Sequence, residues 1–165
     1  MNLEAVNLLS KEAFVERVGW VFEHSPWIAE QAWAQRPWAS LEALHQSLVQ
    51  VVQQAPKEAH LALLRAHPDL GSRARMAPAS VAEQKGAGLD ALTPAEFERI
   101  QALNRAYTEK FGFPFILAVR GKTKADILQA MEQRLHNSPE VEFQTALEEV
   151  FKIARFRLTD LLQRE

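Results

Sequence analysis

The sequence predicts an all-α protein: a single domain over residues 1–165, built as an irregular bundle of about seven or eight helices. Three observations carry that expectation. Ser25-Pro26, Thr93-Pro94 and Ser138-Pro139 each set an oxygen-bearing side chain before a proline. That pairing starts a helix, because the cap oxygen takes a free amide and proline has no amide to satisfy. Behind these starts, apolar residues recur every three or four positions. No run alternates with period two, and no Asn-Gly or Asp-Gly pair marks a hairpin.

Taken in order, helices are expected near 10–15, where Phe14 opens the series Phe14, Val18, Val21 and Phe22, and near 26–35 behind Ser25-Pro26. Leu41, Leu44, Leu48, Val51 and Val52 make one apolar face over 41–54, and an Ala- and Leu-rich stretch covers 56–66. Ser80 with Glu83 matches a capping box at the start of 80–86, and Thr93 with Glu96 matches a second at the start of 94–110. Ile127, Leu128, Met131 and Leu135 mark 124–136, and Ser138-Pro139 opens a long helix over 139–163. Outside these, 67–90 is broken by Pro68, Gly71, Pro78, Gly86 and Gly88. The segment 110–121 is strongly apolar yet interrupted by Gly112 and Pro114. An apolar, irregular segment must either be buried with its backbone groups satisfied or line a pocket that uses them.

A chain of 165 residues buries roughly two-thirds of its unfolded surface and needs no cross-links. It contains no cysteine, which removes disulfides, thiolate zinc sites and a cysteine nucleophile. With 47% hydrophobic and 24% charged residues it is ordinary globular material, not a disordered or fibrous chain. Nineteen basic against 21 acidic residues, net −2, lack the basic excess expected of a nucleic-acid partner. The N-terminus shows no basic segment followed by a long apolar run, and Pro114–Val119 is far too short to span a bilayer. Gln163-Arg164-Glu165 carries neither a peroxisomal address nor a prenylation cysteine. A cytoplasmic setting without membrane association is the expectation.

Three places could carry chemistry. On a wheel of the last helix with Leu147 at zero, Arg157 falls at about 280°, between Ala146 and Val150 on the apolar side; Lys152 and Glu149 fall outside it. A guanidinium there must snorkel outward, pair with an internal carboxylate, or reach an anionic ligand held inside the bundle. His67 precedes Pro68 and so lies at or just past a helix end, where the negative end of the helix dipole favours imidazolium and suits a proton donor; it could equally bond the last carbonyls. Ser80, Glu83 and Gln84 follow the Arg73-to-Pro78 stretch and, besides capping, could offer hydroxyl, carboxylate and carboxamide to a polar ligand. The histidines show no metal-ligand spacing, and no nucleophile elbow or Gly-rich phosphate loop is present. Trp20, Trp27, Trp33 and Trp38 read as core and interface rather than as a ligand cage.

Four segments in order carry a resemblance that covers nearly the whole chain: His67-Pro68-Asp69-Leu70-Gly71; Ser80-x-x-Glu83-Gln84-x-x-Ala87-Gly88-Leu89-Asp90; Phe111-Gly112-Phe113-Pro114-Phe115-Ile116 with Ala118-Val119-Arg120-Gly121-Lys122; and Glu149-Val150 through Ile153-Ala154-Arg155 to Arg157-Leu158. Together they resemble the 2-oxo-4-hydroxy-4-carboxy-5-ureidoimidazoline (OHCU) decarboxylases. The resemblance implies an all-helical enzyme of urate breakdown that yields (S)-allantoin and CO2 with no metal and no organic cofactor. Its pathway neighbours would be urate oxidase or hydroxylase and hydroxyisourate hydrolase, and a homodimer is implied as well. The absence of a peroxisomal tail and of a fused hydrolase domain points to a stand-alone bacterial type. The resemblance makes His67, Glu83 and Arg157 the catalytic residues. It places the substrate among Pro68, Ser80, Glu83, Gln84, Arg157 and the backbone of Phe115, Ile116, Leu117, Ala118 and Val119. The different-class alternative is a non-enzymatic helical binding or adaptor domain presenting its aromatic residues to a partner helix; a metal-dependent hydrolase is weaker still.

Overall fold

At several helix starts this sequence supplies a side-chain oxygen for an amide that would otherwise be left over. Asn2 Oδ1, Ser10 Oγ and Ser40 Oγ accept from the amides of Ala5, Ala13 and Ala43 at 2.8, 3.2 and 3.0 Å. They open α1 (Leu3–Asn7), α2 (Lys11–Val18) and α4 (Leu41–Gln54). Between them lies α3 (Trp27–Ala32), with single 3-10 turns after α2 and α3, and α5 (Lys57–Arg65) follows. The later helices are α6 (Pro78–Gly86), α7 (Pro94–Phe111), α8 (Lys124–Arg134) and α9 (Pro139–Gln163). This computed structural model describes residues 1–71 and 78–163. Among the described residues there is no strand, so the all-α expectation holds, and no helix is long and apolar enough to cross a membrane.

The bounds of α4 and the start of α9 coincide with those expected, whereas two local readings need correction. Ser80 and Glu83 form no capping box, because α6 already begins at Pro78 and Ser80 lies inside its first turn. Ser25 does not cap α3; its hydroxyl donates to the Glu23 carbonyl at 2.8 Å instead. Of the four tryptophans Trp38 is in the core, Trp27 and Trp33 are partly exposed, and Trp20 is 40% exposed. The helix α1 was not anticipated, since five residues are too few for a period to show.

The chain divides into two compact units, Met1–Ala66 with the chain from Val150 onward, and His67–Glu149. In the first, Phe14, Val18, Phe22, Ile28, Leu44, Leu48 and Val52 are fully buried. Phe14 stacks on Trp38 with centroids 5.2 Å apart, and the Trp38 indole donates to Ser47 Oγ at 2.9 Å. Each such buried side chain contributes about 1.5–3 kcal/mol. On α4 the buried positions 44, 48, 51 and 52 keep helical spacing, which is why its face was readable.

The second unit has a core of Ile100, Tyr107, Phe113, Phe115, Ile127 and Met131. The capping box expected at Thr93 and Glu96 is present, and Thr123 with Asp126 forms another. Gly112 closes α7 in the left-handed region, φ 82°, which turns the chain into the irregular 113–119 segment. A charged group sits inside this core. Arg134 donates to both carboxylate oxygens of the fully buried Glu142, from Nε at 3.1 and 3.0 Å and from Nη2 at 2.9 Å. The Tyr107 hydroxyl and Asn137 Nδ2 donate to the same carboxylate, and the Arg134 guanidinium lies 4.3 Å over the Phe115 ring. Burial pushes Glu142 upward, but the bonds from Arg134, Tyr107 and Asn137 outweigh it and hold the carboxyl below its ordinary 4.5.

Because the folded value is the lower one, the network's contribution is complete above the ordinary carboxylate range and is lost as pH falls through the folded value. Tyr107→Phe removes one donor to the charge and is expected to cost about 1.5–3 kcal/mol at neutral pH. Urea unfolding at neutral and acid pH checks this: the gap from wild type should narrow as Glu142 takes up its proton.

Candidate active site

The histidine motif begins where α5 has ended. Its last helical residue is Arg65 and Ala66 is the cap, so His67 lies just past a helix C-terminus, as the following proline required. His67 is buried, at 8% exposure, and Pro68 and Asp69 are partly exposed. The end of the motif is tied down at three backbone groups. Asn104 Nδ2 donates to the Leu70 carbonyl at 2.9 Å, the Gly71 amide donates to Gln84 Oε1 at 2.9 Å, and Gln101 Nε2 donates to the Gly71 carbonyl at 3.4 Å. Gly71 itself has φ +67°, and a Cβ there would meet Leu92 Cδ1 at 3.1 Å and Ile100 Cγ2 at 3.3 Å. Burial pushes the Asp69 carboxyl above its ordinary value.

On α6, Ser80, Glu83 and Gln84 share one helical face by their spacing. Ser80 and Gln84 are buried, at 5% and 6% exposure, whereas Glu83 is half-exposed. The bond between Gln84 and Gly71 joins two of the segments singled out by sequence, and it also shows that the Gln84 oxygen serves the protein backbone. Residues 72–77, within the 71–79 stretch between these motifs, lie outside the described residues.

The 115–119 segment is buried at Phe115, Ile116, Ala118 and Val119, with Leu117 half-exposed among them. Its backbone is held by side chains rather than by a neighbouring strand. Arg134 Nη1 donates to the Ile116 carbonyl at 2.6 Å, and Glu149 Oε1 accepts from the Ala118 amide at 3.0 Å. Glu149 is therefore inside, at 6% exposure, and not on the outer face that the wheel gave it. The amide and carbonyl of Leu117 have no hydrogen-bond partner among the described residues.

Arg157 belongs to the first unit and is 2% exposed. Its Nη2 donates to Glu23 Oε1 at 2.7 Å, and Nη1 donates to the carbonyls of Trp20 and Val21 at 3.3 and 3.4 Å. Of the three alternatives open to Arg157, the pairing with an internal carboxylate is present, and that carboxylate is Glu23, itself buried. Sequence reasoning passed over Glu23, Glu142 and Arg134. A faint signal existed on the last helix, where Glu142 falls at about 220° and Glu149 at about 200° on the same wheel, a charged edge running beside Arg157. Nothing local marks Glu23. Among the described residues no three His, Asp or Glu side chains come together in a way that could hold a metal ion.

Arg157→Met would leave the Glu23 carboxylate buried without its guanidinium and is expected to destabilise the fold by about 3–5 kcal/mol. Adding Glu23→Gln should restore a large part of that loss, as read by urea or thermal unfolding of the single and double variants.

A profile of the OHCU decarboxylase family matches residues 7–159. A 2-oxo-4-hydroxy-4-carboxy-5-ureidoimidazoline decarboxylase from Halalkalicoccus jeotgali is 48% identical over 98% of this chain and 92% of its own length. The uric acid degradation bifunctional protein of Bacillus subtilis is 46% identical over 98% of this chain, which spans 33% of that protein. A crystal structure of (S)-allantoin synthase superposes with a TM-score of 0.78 at 33% identity, over 98% of this chain and 54% of that one. With a profile matching most of its length and a relative covered almost end to end, the chain belongs to the OHCU decarboxylase family.

Proposed function

We propose that this protein converts OHCU to (S)-allantoin and CO2 in urate breakdown, with the whole of residues 1–165 acting as the enzyme and without metal or organic cofactor. The observation that carries the reading is the Gly71 amide held by Gln84 at 2.9 Å, which makes the histidine motif and the Ser-x-x-Glu-Gln motif parts of one place.

The substrate explains these residue types. Its carboxylate-bearing carbon also carries a hydroxyl and adjoins a C=N bond. When the C–C bond to CO2 breaks, the electron pair moves into a new C=C bond and the C=N nitrogen takes a proton. The hydroxyl then loses its proton to become a carbonyl, and the neighbouring ureido-bearing carbon gains a proton on one face. The electron sink is in the substrate, so the protein's task is orientation, charge stabilisation and stereospecific proton delivery. His67 takes the hydroxyl proton and delivers one to the ring carbon, with Pro68 limiting the backbone beside it. Glu83 orients His67 or bonds the ureido group, Ser80 and the Gln84 amide nitrogen bond substrate amides, and the 115–119 backbone holds the ring. Arg157 binds anionic substrate oxygen while Glu23 fixes its guanidinium.

The test generates OHCU from urate with the two upstream enzymes and follows optical activity. A fast rise of dextrorotatory allantoin, unaffected by chelator, is expected; a rate no better than the spontaneous racemic reaction overturns the assignment in favour of a binding module. His67→Asn should lower turnover by about 10²–10⁴-fold in a folded protein, and near-normal turnover with retained chirality would remove its proton-transfer role.

We further propose a stand-alone, cytoplasmic, bacterial-type homodimer working after urate oxidase or hydroxylase and hydroxyisourate hydrolase. Sedimentation equilibrium should give twice the chain mass of 18.7 kDa; the mass of one chain overturns the dimer.

A further inference from the structure

Arg134 makes a contact that charge neutralisation does not require. Its Nε and Nη2 are engaged by Glu142, and Glu142 is in turn fixed by the Tyr107 hydroxyl and Asn137 Nδ2. The remaining Nη1 is thereby aimed at the Ile116 carbonyl, 2.6 Å away. Two residues further on, the Ala118 amide is taken by Glu149 at 3.0 Å. These two contacts straddle Leu117, whose own amide and carbonyl have no hydrogen-bond partner among the described residues and whose neighbours are buried. A donor and an acceptor left open on one residue, with the peptide groups on either side anchored, form a fixed edge for a ligand that offers the complementary pair.

We infer that Arg134, held in register by Glu142, is a positioning residue for substrate binding: it sets the Ile116–Ala118 backbone so that the Leu117 peptide groups meet the substrate ring. This rests on the reading that the 115–119 backbone receives OHCU. The guanidinium is needed for its shape as well as its charge, because only a planar fork grips a carboxylate along one edge and a carbonyl from the other nitrogen. Lysine keeps the charge opposite Glu142 but cannot serve both. Arg134 touches neither the substrate nor the proton-transfer group, so its loss acts on affinity.

The experiment compares wild type and Arg134→Lys on freshly generated OHCU, with initial rates from circular dichroism, product chirality and Tm. In the folded variant KM should rise about tenfold while kcat stays within about twofold and the product remains (S)-allantoin. Unchanged KM, or a fall in kcat at unchanged KM, overturns the inference. Should Arg134→Lys fail to fold, Asn137→Ala loosens Glu142 without altering any charge; KM should then rise about threefold, and no rise is likewise a refutation. A wild type that does not accelerate the reaction removes the functional reading and this inference together. An active wild type with an unaffected variant removes the inference alone.

Discussion

A guanidinium taken out of water has to be met by a carboxylate, and each unit of this protein is organised round such a meeting. In the first, Arg157 and Glu23 face one another at 2.7 Å with 2% and 1% of their surface exposed. In the second, Arg134 grips Glu142, which is wholly buried. Removing either partner would strand a charge, so both are fixed points from which neighbouring backbone is positioned. Arg157 reaches the carbonyls of Trp20 and Val21; Arg134 reaches that of Ile116. Where helices give way to irregular chain, these side chains do the hydrogen bonding that a sheet would otherwise supply.

The same constraint shapes the candidate site. The histidine motif and the Phe-Pro-Phe segment are both irregular and largely buried, and such chain must find partners for its amides and carbonyls. Asn104, Gln101 and Gln84 serve the first, and Arg134 and Glu149 serve the second. Most of the polar side chains in the core of the second unit are therefore engaged in holding backbone. The Leu117 amide and carbonyl, between two anchored contacts, have no hydrogen-bond partner among the described residues.

Legibility in the sequence followed the range of the interaction. Helices that rest on their own caps and period were readable: α4 appears with the expected bounds, α9 with the expected start, and the Thr93 box is formed. The wheel placed Arg157 on the apolar side of α9 without settling whether it was buried, and its partner is 134 residues away, a distance that no local pattern encodes. Ser80 and Glu83 show the opposite failure. Their spacing fits a capping box, but Pro78, two residues before Ser80, is already helical, so Ser80 is an interior helix position and buried. Glu149 was placed outside because a wheel sees one helix, whereas the Ala118 amide that draws it inward comes from another part of the chain.

Two glycines illustrate how unevenly such constraints fall. At Gly86 a Cβ would meet open space, so replacement there is governed by the modest backbone preferences of a helix end. At Gly71 the left-handed backbone, the hydrophobic wall of Leu92 and Ile100, and an amide already committed to Gln84 coincide. Every replacement adds at least one carbon, so each meets both the strained backbone and the Leu92–Ile100 wall. Variation at that codon should therefore be costly from the first added carbon onward, while the codon for Gly86 is far more permissive.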